Sequence, residues 1–359
     1  MRQDELMEPN FSVPKLSICM ATFNRAKYIG ETLDSILSQI VDGVEIVIVD
    51  GASTDDTREV VSGYVSRHAN VRYFRESVNS GVDCDYDKAI SYALGDYCWL
   101  MPDDDLMLPE ALMEILSRIR DEADLIIVNS EVCDGGFKQV LLERRMAIFE
   151  DRLYDAGTIE DFFIEIGPQL TFIGCVVIRR EVWLARNRRL YYGSLFIHVG
   201  VILQSPALSR ILVIARPIIS IRYGNAMWTS RSFEIWMFKW PEIIWSLDQF
   251  SDRAKSRVFS RKPWRNLRKL GMHRASGSFT RATYGKFFNG ALDFPSRLLL
   301  RAVLLIHPAI ANSLASIYCA FHLHTSRLSL LDLLQSQHST WVTRLIFRLS
   351  TGKRPLWKR

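Results

Sequence analysis

Three consecutive aspartates follow an apolar segment in the stretch CWLMPDDDL (98–106). Neighbouring carboxylates repel one another, so three in a row at the end of a strand-like run call for a compensating cation. Hard divalent cations prefer carboxylate oxygen ligands, and such an ion can also neutralise a diphosphate. The alternative is that the acids only decorate the N-terminus of the helix that begins near LPEAL (108–112), where negative charge is favourable. We favour the cation site, because three acids exceed what a helix cap needs.

Two other acidic clusters have a functional and a structural interpretation of equal weight. In VIVDGASTDDT (47–57), Asp50 ends a β-branched run, and its carboxylate can accept hydrogen bonds from a ribose or a base N–H. The structural alternative is a strand-end turn before a capped helix. In NSGVDCDYDKA (79–89), a glycine turn precedes Asp83, Asp85 and Asp87 near a helix start. Here the alternative is a solvated acidic face.

The turn after the first strand carries polar side chains instead of glycines. MATFNR (20–25) places Thr22, Asn24 and Arg25 where a dinucleotide-binding fold would have GxGxxG. The missing glycines argue against dinucleotide binding.

Strand-like and helix-like segments alternate over the first 130 residues, which predicts an α/β fold with a mostly parallel sheet flanked by helices. The predicted strands are 16–21, 45–50, 71–75, 96–101 and 124–130, and the predicted helices are 26–40, 55–68, 82–94 and 109–120. Such sheets bind ligands at the carboxyl ends of their strands, beside a switch in strand order. Asp50 and Asp103–Asp105 both follow predicted strands, so we expect them at that edge.

The charge of the chain is divided unevenly along its length. From residue 251 onward there are 20 Lys and Arg against 3 Asp and Glu, a balance of +17, whereas the first 250 residues carry a balance of −12. A basic block predicts a polyanionic partner, either nucleic acid or an anionic membrane face. The six cysteines are scattered without a CxxC pair, which is cytosolic usage. The acidic N-terminus lacks the pattern of a secretory signal.

The basic part is also rich in tryptophan and contains a long apolar segment. Residues 298–321 are apolar for about the length of a membrane-spanning helix, but Arg301, His307, Pro308 and Asn312 interrupt them. We therefore favour interfacial or docked helices over a span, with a helical domain packed on the first part of the chain as the plainer alternative. No RRM, KH, OB or helix-turn-helix signature supports nucleic acid as the partner.

Taken together, the four polar segments resemble family 2 glycosyltransferases of the GT-A fold. The resemblance covers roughly residues 15–130 and is carried by ATFN (21–24), VDGASTDDT (49–57), NSG (79–81) and PDDD (102–105), in the order and spacing of the family. The spelling WLMPDDD and the later RYGNAMW (222–228) are similar to an abequosyltransferase-like subgroup that works on O-antigen and related polysaccharides. The implied organisation is a tail over 1–14, a GT-A domain over 15–225 and a helical region over 226–359 that docks on the membrane surface and the acceptor.

This resemblance implies a nucleotide-diphosphate-sugar donor and a divalent metal, Mn2+ or Mg2+. Asp50 would meet the base, and Thr22 and Asp83 would line the nucleotide pocket. The implied donor site also includes the following side chains of the strand-end loops: Asn24, Arg25, Asp103 and Asp104. Asp103 and Asp105 bracket the DXD motif and would hold the metal. Because Pro102 stands where the family has its first acid, the identity of the two metal-binding aspartates stays open.

Family 2 enzymes invert the anomeric centre, which requires a general base for the acceptor hydroxyl. The corresponding region here, YYGSLFIHVGVILQ (191–204), contains no carboxylate. A neutral imidazole can accept such a proton at pH 7, so His198 is our candidate base, with a histidine packed in an apolar helix as the alternative. Backup candidates are Glu160, Asp161 and Glu165.

The predicted function is thus metal-dependent, inverting transfer of a sugar to a glycan acceptor, linked to a polyprenyl-diphosphate carrier, in bacterial surface polysaccharide synthesis. The enzyme would be cytoplasmic and peripheral on the inner face of the cell membrane. Two alternatives stay open: a nucleotidyltransferase using the same acids, and a membrane-associated scaffold that binds a nucleotide sugar without turnover.

Overall fold

The structure, a computed structural model, describes residues 14–225, 231–288 and 292–351, with only the backbone considered at 323–325 and 351. The predicted tail lies outside these residues apart from Pro14, and so do residues 226–228 of the RYGNAMW motif. The chain divides into two compact units. One unit comprises the described residues up to Val132 together with Leu142–Arg222, and the other comprises Cys133–Leu141 and the described residues from Tyr223 onward.

The first unit is built around a mixed β-sheet. Ten described strands form the sheet, and all except β7 lie wholly or mainly in the first unit. They are β1 (Leu16–Thr22), β2 (Val44–Asp50), β3 (Val71–Arg75), β4 (Tyr97–Leu100), β5 (Leu106–Met107), β6 (Leu125–Cys133), β7 (Val140–Leu142), β8 (Arg152–Tyr154), β9 (Val176–Arg179) and β10 (Ile211–Arg222). Their order is β3-β2-β1-β4-β9-β6-β10-β5, with β7 beside β6 and β8 beside β10. The chain leaves β1 toward β2 and β3 and then returns to the other side of β1 as β4. The switch in strand order therefore falls at β1.

Helices accompany the strands of this unit. They are α1 (Ile29–Leu37), α2 (Thr57–Val65), α3 (Val82–Tyr92), α4 (Ala111–Arg118), α5 (Ile159–Ile166), α6 (Arg180–Ala185) and α7 (Ile197–Leu203). Their apolar residues recur at helical spacing; in α1, for example, Ile29, Leu33 and Ile36 are buried.

The predicted α/β fold is confirmed, and four of the five predicted strands form its parallel part. The pairs β1–β2, β2–β3 and β1–β4 are parallel, whereas β9 runs antiparallel to both β4 and β6. All seven residues of β2 are buried, as expected for a strand covered on both faces. The antiparallel part includes β6, which corresponds to the predicted strand 124–130, together with β5, β8, β9 and β10, which were not predicted.

The second unit is helical. Its helices are α8 (Ser232–Glu234), which continues through a π-helical segment (Ile235–Lys239) into α9 (Trp240–Trp245), then α10 (Asp252–Val258), α11 (Leu267–Ser276), α12 (Arg281–Phe287), α13 (Phe294–Leu305), α14 (Pro308–Phe321), α15 (Leu323–Gln335) and α16 (Trp341–Thr351). One of its cores is aromatic: Phe233 stacks on Phe279, with ring centroids 4.8 Å apart, and Phe238 stacks on Trp264 at 5.3 Å. The predicted Trp-rich segment therefore contributes to packing within this unit.

A buried asparagine ties four helices of the second unit together. Asn312 on α14 is fully buried, and its Nδ2 donates to the carbonyls of Ala275 on α11 (3.2 Å) and Leu333 on α15 (3.0 Å). The Thr343 hydroxyl on α16 donates to its Oδ1 at 2.5 Å. The polar residue that interrupts the apolar segment thus has its hydrogen bonds satisfied inside the bundle.

The apolar segment 298–321 is broken near residues 306–307. Helix α13 ends at Leu305, α14 begins at Pro308, and the two axes differ by 100°. Among the described helices, none alone combines the length and the hydropathy needed to cross a membrane; α13 and α14 meet that test only when taken together across the bend.

Candidate functional site

The strand-end loops predicted to carry the chemistry meet at one edge of the sheet. Thr22 at the end of β1 pairs with Asp50 at the end of β2, and β4 lies on the other side of β1. The amide of Met101 donates to the carbonyl of Cys19 at 2.9 Å, so the chain leaves the sheet immediately before Pro102 and the aspartates. Asp50, Thr22 and Asp103–Asp105 therefore lie at the carboxyl ends of adjacent parallel strands, beside the switch point.

Arg25 neutralises two of the three aspartates. Its Nε lies 3.4 Å from Asp103 Oδ1 and its Nη2 lies 3.1 Å from Asp104 Oδ2. These three side chains are only 10–14% exposed, so water screens the ion pairs weakly. The arginine predicted to touch the donor is thus already bound to the acids predicted to hold the metal and the nucleotide sugar.

Hydrogen bonds join the turn that carries Arg25 to the loop after β2. Asn24 adopts a left-handed backbone conformation (φ 54°), which asparagine tolerates better than most residues. Its amide N–H donates to Ser53 Oγ at 2.9 Å, and its Oδ1 accepts from the amide of Thr54 at 2.7 Å. The Arg25 amide donates to Thr57 Oγ1 at 2.8 Å. Asn24 therefore acts on the architecture of the site by joining the two loops.

A second arginine, which sequence reasoning missed, holds the aspartate loop from β10. The Arg222 amide donates to Asp105 Oδ1 at 2.8 Å, and its Nε donates to the carbonyl of Asp104 at 2.9 Å. Its Nη2 also pairs with Glu31. Both guanidinium groups lie near the ring of Tyr28, with Cζ to centroid distances of 5.0 Å for Arg222 and 5.7 Å for Arg25. The signal in the sequence was an arginine inside an apolar strand, at the edge of the RYGNAMW motif.

The three aspartates differ in how far they are accessible. Asp103 is 8% and Asp105 is 3% exposed, and Asp105 already accepts the Arg222 amide. Burial and the neighbouring Asp104 carboxylate raise the pKa of Asp103 to about 7, and Arg25 opposes that rise. Burial and Asp104 also raise the pKa of Asp105 well above its ordinary value. Carboxylates so crowded favour a bound cation, either a proton or a metal.

The fit of a divalent metal to this site rests on the chemistry of the donor set. Within the described ranges, no group of three or more His, Cys, Asp and Glu side chains is arranged around a common metal position. The Thr22 hydroxyl is buried beside Asp103 but makes no hydrogen bond of good geometry. The hard oxygen donors with excess negative charge suit Mn2+ or Mg2+, provided that Arg25 gives way. Because Asp104 is the least buried of the three, its carboxylate is the most accessible to such an ion.

Asp50 lies beneath a cavity without being exposed to it. It is fully buried; Oδ1 accepts the amide of Ser53 at 2.8 Å and Oδ2 accepts the hydroxyl of Tyr73 at 2.5 Å. Arg75 Nε lies 3.9 Å from the same Oδ2. The cavity is an open depression of about 500 Å3, lined by Arg58, Ser62, Tyr73, Arg75, Glu76 and Ser77. Tyr73 and Arg75, rather than Asp50 itself, therefore line the cavity.

The acidic face of α3 makes structural contacts. Asp83 is 3% exposed, and its carboxylate accepts the amides of Leu195 (2.8 Å) and Ile197 (3.1 Å) at the start of α7. Asp87 accepts the Trp183 Nε1–H at 2.8 Å and pairs with Arg188 at 2.7 Å. These carboxylates connect α3 to the segment that carries His198, so the solvated face considered as the alternative is wrong for both.

His198 is packed in the interior of α7. It is 2% exposed, and its Nε2 lies 2.7 Å from the carbonyl oxygen of Leu170, so Nε2 carries the proton. Nδ1 is buried and has no hydrogen-bond partner among the described residues. Burial lowers the pKa of His198 to about 4, so the ring is neutral at pH 7. The structure thus provides a neutral imidazole whose Nδ1 lone pair accepts no hydrogen bond from the described residues. The ring is packed in an apolar helix, as in the alternative interpretation of this histidine.

The backup bases lie on α5. Glu160, Asp161 and Glu165 are all exposed, and Glu165 Oε2 is bound to Arg152 at 2.5 Å and to the Tyr154 hydroxyl at 2.7 Å. Glu165 is therefore already neutralised by an arginine.

Arg145, which was not predicted, interacts electrostatically with Asp105. Its guanidinium donates to the carbonyl of Gln169 at 2.6 Å and to Thr171 Oγ1 at 2.5 Å. Burial lowers its pKa, whereas the Cys175 and Asp105 charges oppose that shift. Two arginines, Arg25 and Arg222, contact the aspartate loop directly.

Comparison with known proteins shows which sequences and folds this chain resembles. A family model described as glycosyl transferase family 2 matches residues 17–184. Abequosyltransferase RfbV of Salmonella typhimurium is 27% identical over 200 residues, which cover 53% of this chain and 60% of RfbV. A Campylobacter jejuni protein named GalNAc(5)-diNAcBac-PP-undecaprenol beta-1,3-glucosyltransferase is 28% identical over 110 residues, 30% of this chain and 36% of that protein. The chain thus spans three fifths or less of the length of these curated relatives.

Among solved structures, S. aureus TarS 1–349 in complex with UDP-GlcNAc superposes with a TM-score of 0.52 at 16% identity, covering 94% of this chain and 92% of that TarS fragment. The fold is that of the GT-A glycosyltransferases. The family match covers residues 17–184, a little under half of the chain, and it confirms the predicted resemblance to glycosyl transferase family 2. An abequosyltransferase is among the relatives.

Proposed function

We propose that this protein is an inverting glycosyltransferase that moves a sugar from a nucleotide-diphosphate donor to a glycan acceptor in bacterial surface polysaccharide synthesis. The observation that carries the proposal is the meeting of Arg25, Arg222 and Asp103–Asp105 at the switch point of the sheet, with a second polar cluster at Asp50, Tyr73 and Arg75 at the same edge. A nucleotide diphosphate needs cations near its phosphates and polar groups near its base. This edge of the sheet offers both.

The proposed chemistry is a single displacement at the anomeric carbon. The acceptor oxygen forms the new glycosidic bond while the bond to the donor diphosphate breaks, and the hydroxyl proton passes to a base. The unprotonated Nδ1 of His198 is the proposed acceptor of that proton. Arg25 and Arg222 stabilise negative charge on the departing nucleotide diphosphate.

A divalent ion, Mn2+ or Mg2+, would be held by two of the three aspartates and would supply further charge stabilisation to the diphosphate. Our sequence prediction names Asp103 and Asp105. The accessibility of the carboxylates favours Asp104 as one of the pair, since Asp105 is occupied by the Arg222 amide.

The proposed acceptor is a glycan linked to a polyprenyl-diphosphate carrier, and the proposed location is the cytoplasmic face of the cell membrane. Support comes from the basic balance of +17 after residue 250 and from the printed name of the C. jejuni relative, which includes an undecaprenol-linked acceptor. The donor nucleotide and sugar are left to experiment.

A binding scaffold without turnover is the second candidate, and one observation favours it. His198 is 2% exposed, and the exposed Glu165 is already paired with Arg152 and Tyr154. A protein that keeps the donor site but has no accessible base would bind a nucleotide sugar without transferring it.

The experiment is calorimetric titration of the purified protein with UDP, CDP, GDP and dTDP, each with and without Mn2+. Metal-dependent binding of one nucleotide, lost in Asp104→Asn and retained in the exposed control Asp42→Asn, supports the donor site. Binding of none would overturn it. Hydrolysis or transfer from the matching nucleotide sugar then separates the enzyme from the scaffold, and His198→Ala with full turnover would exclude His198 as the base.

A further inference from the structure

Helix α14 carries an apolar stripe that its own bundle does not cover. Ile310, Leu314, Ile317 and Phe321 are 57%, 58%, 42% and 82% exposed. Their spacing of four, three and four residues places them on one side of the helix. The side that packs in the bundle carries Asn312, Ser316 and Cys319 among its buried residues. Large apolar side chains exposed in a row indicate an interaction surface.

Helix α13 continues this pattern up to the bend. Phe294, Leu298 and Leu305 are 74%, 60% and 82% exposed, again at helical spacing. Two exposed arginines, Arg297 and Arg301, lie on the same side of the helix as these apolar residues. Beside the bend, Leu305 and Ile306 lead into Ile310 on α14, so the two stripes are continuous along the chain.

The charged side chains of α13 and α14 themselves are all arginines. No Asp or Glu occurs between Asp293 and Asp332, whereas Arg297 and Arg301 lie within that interval. A further cation comes from α11, because Arg268 Cζ lies 4.7 Å from the centre of the Tyr318 ring on α14. Apolar side chains flanked by arginines complement a surface that is apolar inside and anionic outside, which is the boundary of an anionic lipid bilayer.

We propose that α13 and α14 dock on an anionic bilayer through this face, defined by Phe294, Leu298, Leu305, Ile310, Leu314, Ile317 and Phe321 with Arg268, Arg297 and Arg301. The choice of a bilayer as the occupant rests on the lipid-linked acceptor of the proposed function. The two helices lie in the interface, with the apolar stripes entering the acyl boundary and the arginines contacting phosphate groups. The face thereby brings the enzyme to the surface where such an acceptor is found.

The test is co-sedimentation of the full chain with vesicles of phosphatidylcholine, alone and mixed with phosphatidylglycerol. We expect binding to the mixed vesicles, weakened at least tenfold in the double variant Leu314→Ser/Phe321→Ser. The matched control is Met113→Ser/Leu153→Ser, which removes side chains that are 60% and 62% exposed in the first unit and should leave binding unchanged. Arg301→Gln should weaken binding to the mixed vesicles about fivefold.

Equal vesicle binding by the wild type and the Leu314→Ser/Phe321→Ser variant would overturn the proposal. So would absence of vesicle binding together with a dimer, measured by light scattering, that this variant converts to a monomer, because a second copy would then cover the face. Nucleotide titration of the same variants keeps the two proposals apart. Vesicle binding without any nucleotide binding would leave the docking face standing and defeat the donor site, and the reverse result would do the opposite.

Discussion

Asp103 is a carboxyl group whose environment favours its proton. Its pKa is raised to about 7, first by burial and then by Asp104. Because the ordinary value is 3.8, the folded protein holds this proton over a range in which the unfolded chain has released it. The stabilising contribution is full below the ordinary pKa and is lost as the pH rises through the folded pKa.

We therefore expect the free energy of unfolding to fall between about pH 4 and about pH 7 through Asp103, and Asp103→Asn to flatten that fall. Denaturant unfolding at several pH values across this range measures both proteins. Parallel pH profiles for the wild type and the variant would show that Asp103 is not the titrating group.

Arg25 is the main counter-charge to Asp103 and Asp104. Removing it in Arg25→Gln leaves two crowded carboxylates without their cation and withdraws a charged donor from the proposed diphosphate site. A hydrogen bond to a charged group contributes about 1.5–3 kcal/mol, so we expect nucleotide affinity to fall roughly 10- to 100-fold by calorimetry. Arg120→Gln, at an exposed position on the first unit, is the control. If Arg25→Gln bound nucleotide as tightly as the wild type, the arginine would serve only the fold.

At the scale of elements, β2 and α3 approach so closely that only glycine fits between them. A Cβ added at Gly51, directly after β2, would lie 2.6 Å from Asp85 Oδ2 on α3. We expect Gly51→Ala to destabilise the protein by about 1–3 kcal/mol, because Asp85 is itself held by the Ser80 hydroxyl at 2.8 Å. Denaturant unfolding measures the effect.

For the matched control, we expect the free energy of unfolding to change in the opposite direction. Gly63 lies within α2, and a Cβ there would meet nothing within 4 Å. Gly63→Ala should therefore stabilise the protein by roughly 0.5–1 kcal/mol through helix propensity. If both substitutions changed stability equally, contact with Asp85 would not explain the requirement for Gly51.

Asp83 has two candidate roles, as a cap of α7 or as a lining residue of the nucleotide pocket, and one variant can distinguish them. If it serves as the cap of α7, Asp83→Ala lowers the free energy of unfolding by about 1–2 kcal/mol, by analogy with helix caps, and leaves nucleotide affinity unchanged in the folded protein. If it lines the nucleotide pocket, as the family resemblance implies, affinity falls as well. Unfolding and calorimetric titration of one variant decide between the two.

The elements that could be predicted from sequence were those with strong local signals. The strands β1 to β4 are short apolar runs bounded by turn residues, and α1 to α4 have amphipathic spacing, so their order placed Asp50 and Asp103–Asp105 correctly at one edge. Arg222 could not be assigned to the site, because it comes from β10, more than a hundred residues beyond the aspartates that it contacts. Likewise, the hydrogen bond from the Tyr73 hydroxyl to Asp50 depends on strand pairing, and no local sequence pattern indicates it.

At the scale of the whole molecule, the charge is strongly asymmetric. The first 250 residues carry −12 and the remainder +17, for a net charge of +5. Opposite blocks on different copies attract one another when salt does not screen them, with a screening length of about 10 Å at 0.1 M ionic strength. We expect the hydrodynamic radius to fall as salt is raised from low ionic strength, measured by dynamic light scattering. A radius independent of salt would show that the two blocks do not associate between molecules.

The bonds that Asn24 makes to the loop after β2 restrict how this protein can be rebuilt. Its amide and side chain span two loops, each of which supplies the partner that the other needs. A chimera that imports either loop alone, or lengthens one by a residue, would leave Arg25 misdirected even though every strand and helix stayed in place. The two loops would therefore have to be exchanged together, and transferring the donor preference of another protein would require both.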